Sequence, residues 1–220
     1  MISLAVTTST ATVGVAVGDE DQILGFEQEV TDRRHAEELT PMIRRVLQTA
    51  SVSMSEISRF VVDVGPGRFT GLRVGLATVR TLAFALDKKV VPLTSLEILA
   101  FAQDEASVLV SIDARRGEVF QQHFVDNVAQ GDPKVGAPEK LAPPLDGNGL
   151  VVVGDGVDRY PEIYRDSGLA GRQVQADEML RLAGKRVAVS GVEIEPMYLR
   201  EPDANPNVKT RPRVPQSEIT

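Results

Sequence analysis

The 220-residue sequence predicts a duplicated α/β fold, two subdomains of mixed β-sheet flanked by helices. Short β-branched runs open the chain and give way to alternating helix and strand patterns, and near residue 104 the same order starts again. A meander followed by helix, strand and helix favours mixed sheets covered by helices. Composition allows it, because 42% of residues are hydrophobic and only 25% are charged, enough to bury a core.

The elements follow in order. "SLAVTTST" and "TVGVAVGD" read as two strands of an antiparallel meander closed by Gly18-Asp19, and "ILGFEQEV" as a third. From Arg33 to Ala50, apolar residues fall at Ala36, Leu39, Ile43, Val46, Leu47 and Ala50, which is helical spacing. Thr31 or Asp32 stands where a cap is needed. Strand "RFVVDV" leads to the turn Gly65-Pro66-Gly67 and a helix to Leu86; strand "KVVPLT" and helix "SLEILAFAQ" follow, with Ser95 as N-cap. The restart comprises "VLVSIDA", the turn "ARRG", "GEVFQQHFV" and a poorly marked third strand. A Pro/Gly-rich connection leads to the strand "LVVVGDG" and the helix "ADEMLRLAG", with Gly184 at its end. The division expected is an N-terminal subdomain over 1–104, a C-terminal one over 105–202, and a polar, proline-containing tail over 203–220.

Several function classes are disfavoured. The formal net charge is −7 and the sequence pI about 5.0, so tight direct nucleic-acid binding is not the default. Aromatics make up 5% of the chain and tryptophan is absent, which argues against a stacking platform for single strands. Without cysteine there are no disulfides, thiolate nucleophiles or cysteine zinc sites. No secretory signal is visible, and the apolar region from Leu72 to Leu86, interrupted by Arg73 and Arg80, reads as a buried helix rather than a membrane span. A cytoplasmic location is expected.

"GPGRFTG" raises the functional question. It lacks the Lys-Ser/Thr end of a P-loop and has one residue too many for a dinucleotide fingerprint. Gly71 and Gly75 lie on one helix face. Glycine inside a helix costs about 1 kcal/mol against alanine, so both need a reason: close packing on the chain's own sheet, or close approach of another subunit. The local residues leave both open. No G-x-S-x-G elbow is present. Asp113 and Asp155 end strands and suit turns and helix caps; Arg115 and Arg116 suit either solvent or an anion. His35 and His123 are far apart in sequence, which disfavours a shared metal.

"GPGRFTGLRVGLATVRTLAFAL" resembles the signature of the TsaB (YeaZ) family. "SLAVTTSTATVGVAV", "RRHAEELTPMIRRVL", "VPLTSLEILA", "DARRGEVF", "GDG" and "PMYLR" agree in order, to about Arg200. The resemblance implies the fold shared by actin, sugar kinases and Hsp70 ATPases (the ASKHA fold). It also implies a non-catalytic role in threonylcarbamoylation of adenosine 37 in ANN-decoding tRNAs. Its implied partners are the catalytic subunit TsaD, the ATPase TsaE in a ternary assembly, a second copy of the chain when alone, and tRNA only through the complex. No cofactor is implied beyond a nucleotide at a composite interface.

Departures from the wider superfamily support that role. Thr7 stands where the ATPases carry an aspartate, and a hydroxyl does not replace the carboxylate that Mg²⁺ prefers. Ser95 and Leu99 stand where catalytic relatives carry two metal-binding histidines. The other reading is an enzyme of this fold, a weak ATPase or a glycopeptidase-like metalloprotease. The resemblance places the partner interface on the N-terminal helices, at His35, Leu39, Ile43, Arg68, Phe69, Gly71, Leu72, Arg73, Gly75 and Thr78. The turn Gly65, Pro66, Gly67 is then a vestigial phosphate loop, and no catalytic or metal residue is expected.

Overall fold

A computed structural model describes residues 1–31, 34–142, 149–164, 168–169 and 172–200. The tail over 203–220 and Asp32 lie outside the described residues. The first half runs β1 (Ser3–Thr7), β2 (Thr12–Gly18), β3 (Ile23–Val30), α1 (His35–Ala50), β4 (Arg59–Asp63), α2 (Phe69–Leu86), β5 (Lys89–Leu93) and α3 (Ser95–Phe101). The second runs β6 (Ser107–Arg115), β7 (Glu118–Val125), β8 (Val128–Ala129), β9 (Lys134–Gly136), α4 (Pro138–Leu141), β10 (Leu150–Val153), α5 (Asp155–Arg159), α6 (Pro161–Tyr164), β11 (Gly168–Leu169) and α7 (Ala176–Ala183).

The duplication is visible in the strand order. The first sheet is β3-β2-β1-β4-β5 and the second β11-β10-β6-β7-β8, with β9 also on β7. In each, the opening strand pairs antiparallel with the next and parallel with the strand after the meander. The weakly marked third strand of the second half is split, β8 pairing Phe124 and Val125 while β9 pairs Val119 to Gln121.

β1 and β2 are buried on both faces, so their sequences are near-continuous apolar runs rather than alternating ones. Alternate residues still part company. Leu4, Val6, Val13 and Val15 pack under α1 and α2 with Leu39, Met42, Leu72 and Val79. Ala5, Ala16 and Val61 face the other way, into a core shared with Val110, Ile112 and Phe124 of the second sheet. Helices are exchanged between the halves: α3 packs on β6 and β7, and α7 on β1 and β2.

Two local expectations shift. The N-cap of α3 is Thr94, whose hydroxyl accepts from the Glu97 amide at 3.0 Å while the Glu97 carboxylate reaches back. Ser95 is the first helical residue instead, its side chain directed elsewhere. α1 begins at His35, with the Thr31 hydroxyl accepting from the Arg34 amide at 3.3 Å.

α2 is long and apolar enough by length and composition to cross a membrane, but Leu72, Leu76, Val79 and Ala83 bury one face against the sheet. Its glycines face the turn after β1. A Cβ on Gly71 would overlap the Thr8 carbonyl oxygen, and one on Gly75 the Thr8 hydroxyl. The Thr8 hydroxyl also donates to the Gly71 carbonyl at 2.8 Å. Of the two explanations left open by the sequence, contact within the chain is the one observed.

Gly71→Ala must displace backbone and should cost about 3 kcal/mol. Gly75→Ala meets only a side-chain hydroxyl and gains about 1 kcal/mol of helix propensity, so it should be much milder. Urea unfolding followed by circular dichroism checks the order; equal losses would refute this account of the close approach.

Candidate functional site

Asp63, the last residue of β4, is 2% exposed. Its Oδ2 accepts from the Thr7 hydroxyl at 2.8 Å and from the Ser9 hydroxyl. Its Oδ1 accepts from the Ser95 hydroxyl at 2.7 Å and the Gly65 amide at 2.9 Å. Ser9 and Ser95 Oγ atoms lie 2.9 Å apart, and Thr7, Ser9 and Ser95 are fully buried. Burial pushes the Asp63 carboxyl above its ordinary value, while the four donors pull it back. Thr7, noted in the sequence as a departure, and Ser95, noted as a departure and an expected N-cap, are thus hydrogen-bond donors to one internal carboxylate. Asp63 itself was not singled out by sequence reasoning; its signal was an acid at the end of an apolar strand, two residues before Gly65.

The glycine turn is also turned inward. Gly65, at φ +94°, offers its carbonyl to the Ser95 amide at 2.8 Å, and the Arg68 amide at the start of α2 donates to the Ser9 carbonyl at 2.5 Å. A Cβ on Gly67 would overlap that same Ser9 carbonyl. The start of α2 therefore has a carbonyl oxygen of its own chain beside it.

A cleft of about 580 Å³ opens between the halves, with Arg68 and Phe69 on one wall and Asp113, Arg115 and Arg116 on the other. The segment 197–200 crosses it. The Met197 amide donates to the Val64 carbonyl at 2.8 Å. Tyr198 lies 5.2 Å from the Phe69 ring, Arg73 sits 3.8 Å over Phe69, and its Nε donates to the Tyr198 hydroxyl at 3.1 Å. Arg200 donates to the Ala114 carbonyl at 3.2 Å and pairs with Glu118.

Asp113 and Asp155 do what turn and cap residues do. Asp155 Oδ1 accepts from the Asp113 amide at 2.8 Å, and Asp113 Oδ1 from the Arg115 amide at 2.9 Å. Burial raises the Asp155 carboxyl, opposed chiefly by that amide and then by Arg68 and Arg115. Arg115 and Arg116 have φ of 63° and 59°, left-handed values that cost a side-chain-bearing residue roughly 1–2 kcal/mol each.

A second concavity, about 640 Å³, lies farther along α2, where Ile43 and Leu47 of α1, Val52, Met54 and Leu82 of α2 form a mostly apolar groove. Arg44 and Glu56 flank it.

The residues grouped above as one interface separate into three sets. His35, Leu39, Gly71, Leu72 and Gly75 are buried within the chain, His35 and Gly71 at the edge of the cleft. They are the inner faces of α1 and α2, and His35 Nε2 lies 3.1 Å from the Thr10 carbonyl. Arg68, Phe69 and Arg73 stand around the cleft. Ile43 and Thr78 line the groove. His123 Nε2 lies 2.9 Å from the Ser107 hydroxyl. Among the described residues no three His, Cys, Asp or Glu side chains come together as a metal site.

The comparisons agree with this architecture. Residues 19–137 match the family model described as "TsaD: tRNA N6-adenosine threonylcarbamoyltransferase". The Escherichia coli tRNA threonylcarbamoyladenosine biosynthesis protein TsaB is 31% identical over 90% of this chain and 94% of its own. A Mycobacterium leprae protein, ML0378, is 35% identical over 93% of this chain, which spans only 56% of that relative. The structure of YeaZ from Pseudomonas aeruginosa superposes with a TM-score of 0.79 at 32% identity, covering 90% of this chain and 99% of that one.

The Asp63 cluster gives a pH prediction. Its folded value lies above the ordinary 3.8, so the folded chain holds the extra proton. That contribution to stability is complete below 3.8 and is lost as pH rises through the folded value. Asp63→Asn removes this titration, and the stability difference should move in the variant's favour from pH 4 to pH 7. Urea midpoints at several pH values read it; a difference that does not change with pH would refute it.

Proposed function

The chain belongs to the TsaB (YeaZ) family, and within tRNA threonylcarbamoyladenosine biosynthesis we propose that it is a scaffold subunit, without turnover of its own, that dimerises with a TsaD-type catalytic partner. The observation that carries this reading is the apolar groove between α1 and α2. Leu47, Thr78 and Leu82 are half-buried there, and the buried Ile43 lines it. A partner helix seated in it removes apolar surface from water at about 25 cal/mol per Å².

The inner end of the fold supports a role without catalysis. Asp63 is engaged by Thr7, Ser9, Ser95 and the Gly65 amide, and the start of α2 by Ser9. Chemistry on an outside substrate needs such groups to face it. The weak-ATPase and metalloprotease readings therefore have less to stand on. In the proposed assembly a second copy of the chain occupies the groove when TsaD is absent. TsaE joins the complex, and any nucleotide sits at the joint between subunits. The assembly is cytoplasmic.

Size-exclusion chromatography with light scattering, mixing the chain with TsaD from the same genome, tests the reading. A one-to-one complex should replace a homodimer. Leu82→Glu and Leu47→Glu should weaken both pairings at least tenfold, because a carboxylate in an apolar contact must be desolvated, while the monomer keeps its melting transition. If neither substitution changes pairing, the groove is not the contact. If no complex forms, with or without nucleotide and TsaE, the scaffold role fails.

A further inference from the structure

We infer that the Arg115–Arg116 turn and the rim around it are a contact for the phosphodiester groups of a single-stranded RNA loop. This rests on the tRNA-modification reading above and deepens it, since direct RNA contact is not part of that reading. The first observation is backbone conformation. Arg115, Arg116 and Gly117 all have left-handed φ, at 63°, 59° and 79°. Asn and Gly adopt that region at least cost, and only the third position uses one of them. Two arginines kept there point to a need for their side chains, because observed backbone strain is a pointer to function.

The second observation is where these side chains stand. Both are exposed, at the mouth of the cleft that Arg68 and Arg200 also line, with Arg73 beside it over Phe69. The chain as a whole carries −7, so this is a local concentration of arginine against the overall charge. Arginine reads phosphate bidentately. Of the acids nearby, Asp113 lines the cleft with these arginines and pairs with Arg115 at 3.6 Å, while Asp155 and Glu118 are held in the contacts already described. The inner end is occupied by the chain's own Ser9 and Ser95. Phosphate is therefore met at the rim, by a polyanion lying across it. The third observation is the tilted pair Phe69 and Tyr198, 39% and 38% exposed on the same rim, where an unstacked base can lie.

The test is fluorescence anisotropy of a labelled tRNA transcript with an ANN-reading anticodon, titrated with the full chain alone and with its TsaD complex, across a salt series. The double variant R115N/R116N suits the left-handed turn, so its Tm should be unchanged or higher. RNA affinity should fall on the order of tenfold at low salt, and the slope of log affinity against log salt should shrink by about one to two units. Association with TsaD, read by light scattering, should be unchanged. Unchanged RNA affinity in the variant overturns the inference, as does a chain that binds no RNA either alone or in the complex. A matching loss of TsaD association overturns it too, because the rim would then be a protein contact. If TsaD never associates but the isolated chain binds RNA through these arginines, the scaffold reading fails and this inference stands.

Discussion

A buried carboxylate with four donors organises the end of the first sheet. Asp63 sits where β4 stops, and its donors come from the turn after β1, from the glycine turn and from the start of α3. A charge taken from water is tolerated only when its acceptor sites are filled, so each of these segments is held to the same point. Once Ser9 is held there, its carbonyl meets the Arg68 amide, and the start of α2 is fixed against the turn. The glycines at 67, 71 and 75 follow from that placement, because each is where a Cβ would collide with Thr8 or Ser9. One buried carboxyl group thus accounts for features spread from Thr7 to Ser95.

Periodicity made most of this fold legible, and the reasons for the exceptions are physical. Strands β1, β2, β4, β6 and β10 announce themselves as apolar β-branched runs, because both faces are covered. The small-residue stripe on α2 said that something comes close. It could not say what, since an own turn and a foreign subunit leave the same pattern, and the structure supplied Thr8. Thr94 and Ser95 are adjacent hydroxyl residues, and only the fold decides that one caps α3 while the other reaches Asp63. The local mark of Asp63, an acid ending an apolar strand, could not show its role, because its side-chain partners lie 32 to 56 residues away. The groove between α1 and α2 is likewise invisible in sequence, since Leu47 and Leu82 belong to different helices and each reads simply as a helix-face leucine.

The exchange of helices explains why the two halves share a core despite being repeats. α3 leaves the first sheet for the second, and α7 returns from the second half to cover the first. Ala5, Ala16 and Val61 meet Phe124 and Met179 in one continuous cluster. The cleft is then the part of the junction these helices leave uncovered, and segment 197–200 crosses its mouth with a hydrogen bond to Val64 on one side and to Ala114 on the other.

α2 connects everything proposed for this chain. At 18 residues it spans about 27 Å, beginning at the arginine-lined cleft and passing Thr78 and Leu82 at the apolar groove. Its inner face interlocks with Thr8 through glycines that leave no room for sliding. On the two proposals made above, a partner in the groove and an RNA strand at the rim would meet opposite ends of α2. The Arg115–Arg116 turn stands on the facing wall of the cleft, so the two surfaces are related through α2 and the shared core of the halves together. For the scaffold role proposed above, the inward-directed groups around Asp63 then serve to fix the start of α2, from which both outside surfaces are laid out.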